Sequence, residues 1–179
     1  MVINWYGNGC FKITSGGVTI LIDPESNRFK GDVVLKTTQP LPLAARHPDE
    51  IVGPGEYEIK NVEIEGYPAT PETGAGKTAL ATIYKVTTED LRLCFFGSPA
   101  KLPDGSILEK LGEVDILFLA PGNAPAVKQL NPKIVVPSFF KNVKELAKAF
   151  DQKIEEEEHL TIKQKDLPAN IKIIALKNA

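Results

Sequence analysis

Apolar and polar positions alternate through much of the first half of the chain, the two-residue period of half-buried β-strands. Phe11-Lys12-Ile13-Thr14 and Val18-Thr19-Ile20-Leu21-Ile22 flank Ser15-Gly16-Gly17 and predict a hairpin. Its glycines supply the positive φ that a tight turn needs. Asp32-Val33-Val34-Leu35 is a short, nearly continuous apolar run, the pattern of a strand buried on both faces. Tyr57, Ile59, Val62 and Ile64 alternate with charged residues around Lys60-Asn61, predicting a second hairpin with one wet face. A third joins Leu80–Thr87 to Leu91–Phe96 across Thr88-Glu89-Asp90.

The rhythm then changes. Ser106–Glu113 reads as a short helix, Asp115–Ala120 as a buried strand, Ala124–Leu130 as one or two helical turns, and Lys133–Pro137 as a strand. Strands separated by short helices indicate crossover connections. Asn142 is a favourable N-cap, and Glu145 stands where a carboxylate can reach back. Val143, Leu146, Ala147 and Phe150 follow at i, i+3, i+4 and i+7, one apolar face for the core. Glu155–Glu158 reads as a solvated acidic connector before strands near Leu160–Lys165 and Ile171–Leu176. The chain has no internal repeat, low-complexity tract or interdomain linker, so residues 1–179 are expected to form one domain. The class is α+β, with sheets in the middle and helices outside.

Composition narrows the function classes. With 42% hydrophobic and 25% charged residues and a net charge of −2, the chain has the profile of an ordinary globular protein. That balance offers no general attraction to nucleic acid or an anionic membrane. No apolar run approaches the roughly 20 residues that span a bilayer. The first residues lack the pattern of a signal peptide, and cytoplasm is the default expectation. The two cysteines, Cys10 and Cys94, lie in apolar runs and are expected to be buried, reduced thiols. Histidine is equally scarce, with only His47 and His159.

Several blocks of sequence carry a more specific signal. Trp5-Tyr6-Gly7-Asn8-Gly9-Cys10-Phe11-Lys12-Ile13 and Ile20-Leu21-Ile22-Asp23-Pro24 open the chain, and Gly53-Pro54-Gly55-Glu56-Tyr57-Glu58-Ile59 follows. Leu91-Arg92-Leu93-Cys94, Gly112–Leu117 and Pro132–Pro137 come later. Together and in this order they resemble the small bacterial metal-dependent hydrolases of the metallo-β-lactamase superfamily, across nearly the whole chain. The resemblance implies a four-layer αββα sandwich, two mixed sheets packed together with helices outside.

The resemblance also implies where metal ligands would stand. The family's first ligand loop reads Thr-His-x-His-x-Asp-His after a strand like Asp32–Leu35, so that two ions share a bridging hydroxide. Matched here, Thr37 takes the motif's Thr, and Thr38, Pro40, Pro42 and Leu43 take the ligand positions. The next histidine falls near Pro71. The bridging Asp of a Gly-Asp pair becomes Ser98 in Gly97-Ser98, and the final histidine becomes Phe139 in Pro137-Ser138-Phe139-Phe140. Proline, leucine and phenylalanine offer no side-chain donor atom. The family would bind two zinc or other divalent ions; this sequence is expected to bind none.

Other motifs are weaker. His47-Pro48-Asp49-Glu50 gathers donors, but two ligands leave a zinc site unfilled. His159 beside the acidic run is expected to be an exposed strand-edge residue. Gly74-Ala75-Gly76-Lys77-Thr78 suggests a phosphate loop, yet Pro71 stands where the pattern needs glycine, and Ala79–Val86 reads as a strand instead of a helix. Asn8 borders the cleft in the family, and Asp23 usually supports the ligands there without being one. Neither Cys10 nor Ser98 has an evident base beside it in sequence.

The expectation is therefore a non-catalytic binding or interaction protein on a hydrolase scaffold. A divergent hydrolase would rebuild its site from Asp23, Asp49, Glu56 and Ser98, with Asn8 nearby. A structural subunit of a homo-oligomer would instead bury an apolar patch containing Phe139 and Phe140.

Overall fold

The computed structural model describes residues 1–26, 28–41, 50–71, 79–97 and 102–179. Its first half is built from β1 (Val2–Trp5), β2 (Phe11–Ser15), β3 (Val18–Ile22), β4 (Val33–Lys36), β5 (Thr38–Pro40) and β6 (Glu50–Val52). β7 (Gly55–Ile59), β8 (Val62–Ala69), β9 (Ala79–Thr88) and β10 (Leu91–Phe95) follow. Helices then alternate with strands: α1 (Gly105–Leu111), β11 (Ile116–Leu119), α2 (Pro125–Leu130), β12 (Ile134–Pro137), α3 (Val143–Phe150) and β13 (Ile154–Glu157). β14 (Leu160–Thr161) and β15 (Lys172–Leu176) close the chain.

Two mixed sheets result. One has the order β14-β1-β2-β3-β4-β6, antiparallel up to β3 and parallel beyond it. The other runs β13-β15-β12-β11-β10-β9-β8-β7, with a parallel half built by crossovers and an antiparallel half built by hairpins. The three expected hairpins form. Their turns use left-handed backbone at Gly16 and Gly17, at Lys60 and Asn61, and at Glu89 and Asp90, matching the twist of the strands they join.

The core between the sheets takes Ile3, Phe11, Ile13, Ile20 and Leu35 from the first sheet and Ile64, Phe95, Phe118, Val136 and Leu176 from the second. Phe95 and Phe118 stack at 4.3 Å, and Phe11 meets Phe118 edge-on at 4.9 Å. The far face of the second sheet is covered by Leu108 and Leu111 of α1 and by Ala126, Val127 and Leu130 of α2. Each buried leucine there contributes about 1.5–3 kcal/mol. Phe150 of α3 packs at the border of the same cluster. Among the described residues the helices lie on this side. The outer face of the first sheet carries Lys12, Thr14, Thr19 and Lys36, all at least partly exposed.

The structure corrects three local readings. Val34 is half-buried, so β4 buries one face and not two. Ala147 is exposed and Leu146 is the one fully buried residue of α3. The Asn142 side chain does accept from Glu145 N, while the Glu145 carboxylate returns to Lys141 N. The acidic run Glu155–Glu158 is no connector, because its first three residues lie in β13 at the edge of the second sheet, parallel to β15. An edge strand leaves one side to water, where glutamates are tolerated. Glu155 and Glu158 face Lys172 and Lys177. His159 is exposed in the bend between β13 and β14.

Candidate functional site

Where β4 ends, the chain crosses from the first sheet to the second. β5 pairs antiparallel with β9, with Thr38 opposite Ala81 and Pro40 opposite Ala79. β10 occupies the same side of β9 further along, from Tyr84 to Thr88, so β5 continues the lane that β10 leaves. Thr37 sits at this junction, almost fully buried. Its carbonyl accepts from Thr82 N at 2.8 Å, its N–H donates to Asp23 Oδ1 at 2.8 Å, and its hydroxyl donates to Asp23 Oδ2. Gly97, just past β10, has φ +72° and lies so close to Thr37 that a Cβ would overlap the Thr37 side chain.

Asp23 follows β3 with φ +44°, and its N–H donates to Leu35 O. Burial raises its carboxyl from the ordinary 3.8 to about 6 and outweighs the opposing effects of the two Thr37 hydrogen bonds and Lys36. The folded state then holds this proton more tightly than the unfolded chain. The stabilisation is full below pH 4 and is lost as pH rises through about 6, by at most about 3 kcal/mol. Asp23→Asn keeps an acceptor for Thr37 N but does not titrate. Urea unfolding between pH 4 and 7 should show the variant gaining on the parent protein as pH rises. Parallel stability curves would remove this account of Asp23.

Beside Asp23 lies the turn between β1 and β2. Gly7, Asn8 and Gly9 all have positive φ, and Cys10 N closes the turn on Gly7 O at 2.7 Å. Gly9 has no space for a Cβ because the Phe139 ring lies against it. Phe139 itself holds φ +55°, a conformation a bulky side chain rarely adopts. Phe140 stacks on Trp5 at 4.8 Å, so both phenylalanines of the expected oligomer patch are engaged within the chain. Asn8 is exposed and donates to Glu25 Oε1 at 2.9 Å. Cys10 is buried; desolvation, helped by the charges of Glu25 and Asp23, pushes its thiol up from 9.0 even though the Glu25 backbone N–H opposes the shift. It remains a thiol at neutral pH. Cys94 is raised further by complete burial, so neither cysteine supplies a ready thiolate.

Residues 2–138 match the β-lactamase superfamily domain family. The chain belongs to the metallo-β-lactamase superfamily. A UPF0173 protein of Pyrococcus abyssi is 28% identical, covering 78% of this chain and 83% of that protein. A protein of Thermotoga maritima, assigned by name to the Zn-dependent hydrolases of the superfamily, superposes with TM-score 0.75 at 21% identity, over 98% of this chain and 99% of its own. Igni18, a metallo hydrolase of Ignicoccus hospitalis, has TM-score 0.60 at 15% identity, over 84% and 90%. Identities this low carry the fold alone.

Within the superfamily frame, Asp23, Asn8 and Phe139 come together at one end of the sandwich around Gly9 and Cys10. Thr38 is half-buried in β5, Pro40 is exposed, and Pro71 is half-buried after β8. Glu56 lies exposed on β7, opposite Glu65, and makes no pair with Asp23. Pro42, Leu43, His47, Asp49, Ser98 and the glycine-rich Gly74–Thr78 lie outside the described residues, although Ala79 does open a strand. Among the described residues no three His, Cys, Asp or Glu side chains gather where an ion could sit. No described helix is long and apolar enough to cross a membrane. Glu25 was not singled out from sequence, and Thr37 and Gly97 were named there only as neighbours of the expected ligand positions.

Proposed function

We propose that this chain is a superfamily member without a metal centre, a non-catalytic protein that uses the hydrolase scaffold for binding or interaction. The chemistry of the side chains at the ligand positions carries the reading. Thr38, Pro40, Pro71 and Phe139, with Pro42, Leu43 and Ser98 by residue type, offer two hydroxyls and no imidazole or carboxylate. Such a set does not fit a pair of divalent ions. Asp23 does not replace it, since both of its oxygens are engaged by Thr37. A hydrolase reading would take its support from the names of structural neighbours alone.

The same reading takes residues 1–179 as one domain, supported by a core drawn from Ile3 through Leu176. It also places the chain in the cytoplasm, where two free buried thiols are at home. The test is elemental analysis of untagged protein purified without chelators, beside ester, β-lactam and phosphodiester hydrolysis with added zinc or manganese. Metal far below one ion per chain and rates equal to buffer are expected. Near-stoichiometric zinc, iron or manganese would overturn the proposal.

A further inference from the structure

The opposite end of the molecule holds a second concavity. Lys133 precedes β12 and Phe139 follows it, so this region and the old cleft lie at the two ends of one strand. A cavity of about 300 Å³ opens between α2 and α3, with Val127, Phe150, Ile171 and Ile173 among its lining residues. A second, of about 360 Å³, adjoins it through Gln152 and Ile171 and presents Asn131, Lys133 and Asn170. Each is of the size that holds a small ligand, and together they pair an apolar slot with a polar end.

The charges around this groove are unequal in their commitments. α2 and α3 both end here, and their exposed carbonyls carry partial negative charge. Lys128 in the last turn of α2 and Lys148 in the last turn of α3 already complement those ends. Asp151, the C-cap of α3, lines the rim of the apolar slot. Lys133 belongs to neither helix. It is half-buried, its backbone is fixed by Lys133 N to Asp115 O and by Lys172 N to Lys133 O, and no carboxylate of the described residues forms an ion pair with its ammonium. A half-buried lysine without a carboxylate partner among the described residues, lining a pocket with the carboxamides of Asn131, Gln152 and Asn170 beside an apolar slot, is complementary to a carboxylate on a short hydrocarbon tail.

We infer that the groove between α2 and α3 binds a small amphipathic carboxylate, its head on Lys133 and its tail in the slot beside Val127, Phe150 and Ile173. The site is separate from the former metal cleft and does not depend on how that cleft is read. Calorimetric titration and amide chemical-shift mapping with octanoate, and with octanol as the uncharged control, test it on the full chain. Octanoate should shift the amides of residues 127, 133, 150 and 171. Lys133→Gln should weaken octanoate about tenfold, the loss of one charge-assisted hydrogen bond, and leave octanol unaffected. Ala149→Phe, at an exposed position of α3 that lines the slot, should block both ligands while the melting temperature stays close to the parent value. Equal binding of octanoate and octanol, an unchanged Lys133→Gln titration, or no shifts at millimolar octanoate would overturn the inference. So would a dimer that Ala149→Phe dissociates in protein indifferent to octanoate, which would give the slot to a second copy of the chain.

Discussion

Gly97→Ala is expected to lower the unfolding free energy by about 3–5 kcal/mol, the combined cost of a left-handed backbone and an overlap in a packed junction. Gly97 has φ +72°, and the added methyl would enter the volume held by Thr37 Oγ1 and Cβ. Thr37 cannot yield cheaply, because its N–H, hydroxyl and carbonyl are engaged by Asp23 and Thr82 from two different sheets. Two other glycines separate the contributions. Gly112 has φ +59° with ψ −138°, a combination nearly reserved for glycine, and open space where a Cβ would go, so Gly112→Ala should cost about 1–3 kcal/mol from the backbone alone. Gly122 has open space without positive φ, and Gly122→Ala should fall within about 0.5 kcal/mol of zero. Urea unfolding of the three variants reads the series directly. If Gly97→Ala costs no more than Gly112→Ala, the Asp23–Thr37–Gly97 junction is not rigid.

This junction also marks how far the sequence could be read. The hairpins around Gly16-Gly17 and Lys60-Asn61 were legible because strand alternation and turn residues are local signals with a fixed period. β13 was not legible: four successive glutamates look like solvated chain, and the parallel pairing with β15 that makes them a strand is a relation between distant segments. β5 escaped for a similar reason. Thr38-Gln39-Pro40 has no strand pattern of its own and is extended because β9 is longer than β10 and leaves a lane to fill. At the site, the proposal of a missing metal centre rests on residue type, which alone decides whether a donor atom exists. Sequence could not show that Asp23 has both oxygens on Thr37, or that the Phe139 ring takes the space above Gly9. Those facts belong to contacts between loops, which carry no period.

Asp115→Ala should be the other severe substitution, costing about 2–4 kcal/mol, for reasons at the far end of the same strands. Asp115 is 5% exposed. Its Oδ2 accepts from Arg92 N and Nε, and its Oδ1 from Arg92 Nη2, each at 2.9 Å, a two-pronged pair that also satisfies a backbone donor. The Asp115 main chain adds bonds to Arg92 O and from the N–H groups of Lys133 and Ile134, so one residue holds β10, β11 and β12 in register. Removing the carboxylate strands the Arg92 N–H and leaves the guanidinium with Glu113 alone. Breaking a buried pair costs about 3–5 kcal/mol, and the value expected here is lower because Arg92, 34% exposed, can turn partly toward water. Asp115→Asn retains one acceptor and should cost about half as much as alanine. A double-mutant cycle with Arg92→Met should give a coupling of about 1–3 kcal/mol. Lys177–Glu158 is the contrasting case: its nitrogen and oxygen are 2.5 Å apart, but both side chains are more than half exposed. Lys177→Ala should leave the urea midpoint close to that of the parent protein, since water and salt screen that pair. Urea unfolding that ranked the two sites equally would mean that burial and backbone hydrogen bonding at Asp115 do not set its worth. A clear gap would locate the hold on the parallel half of the second sheet at this one carboxylate.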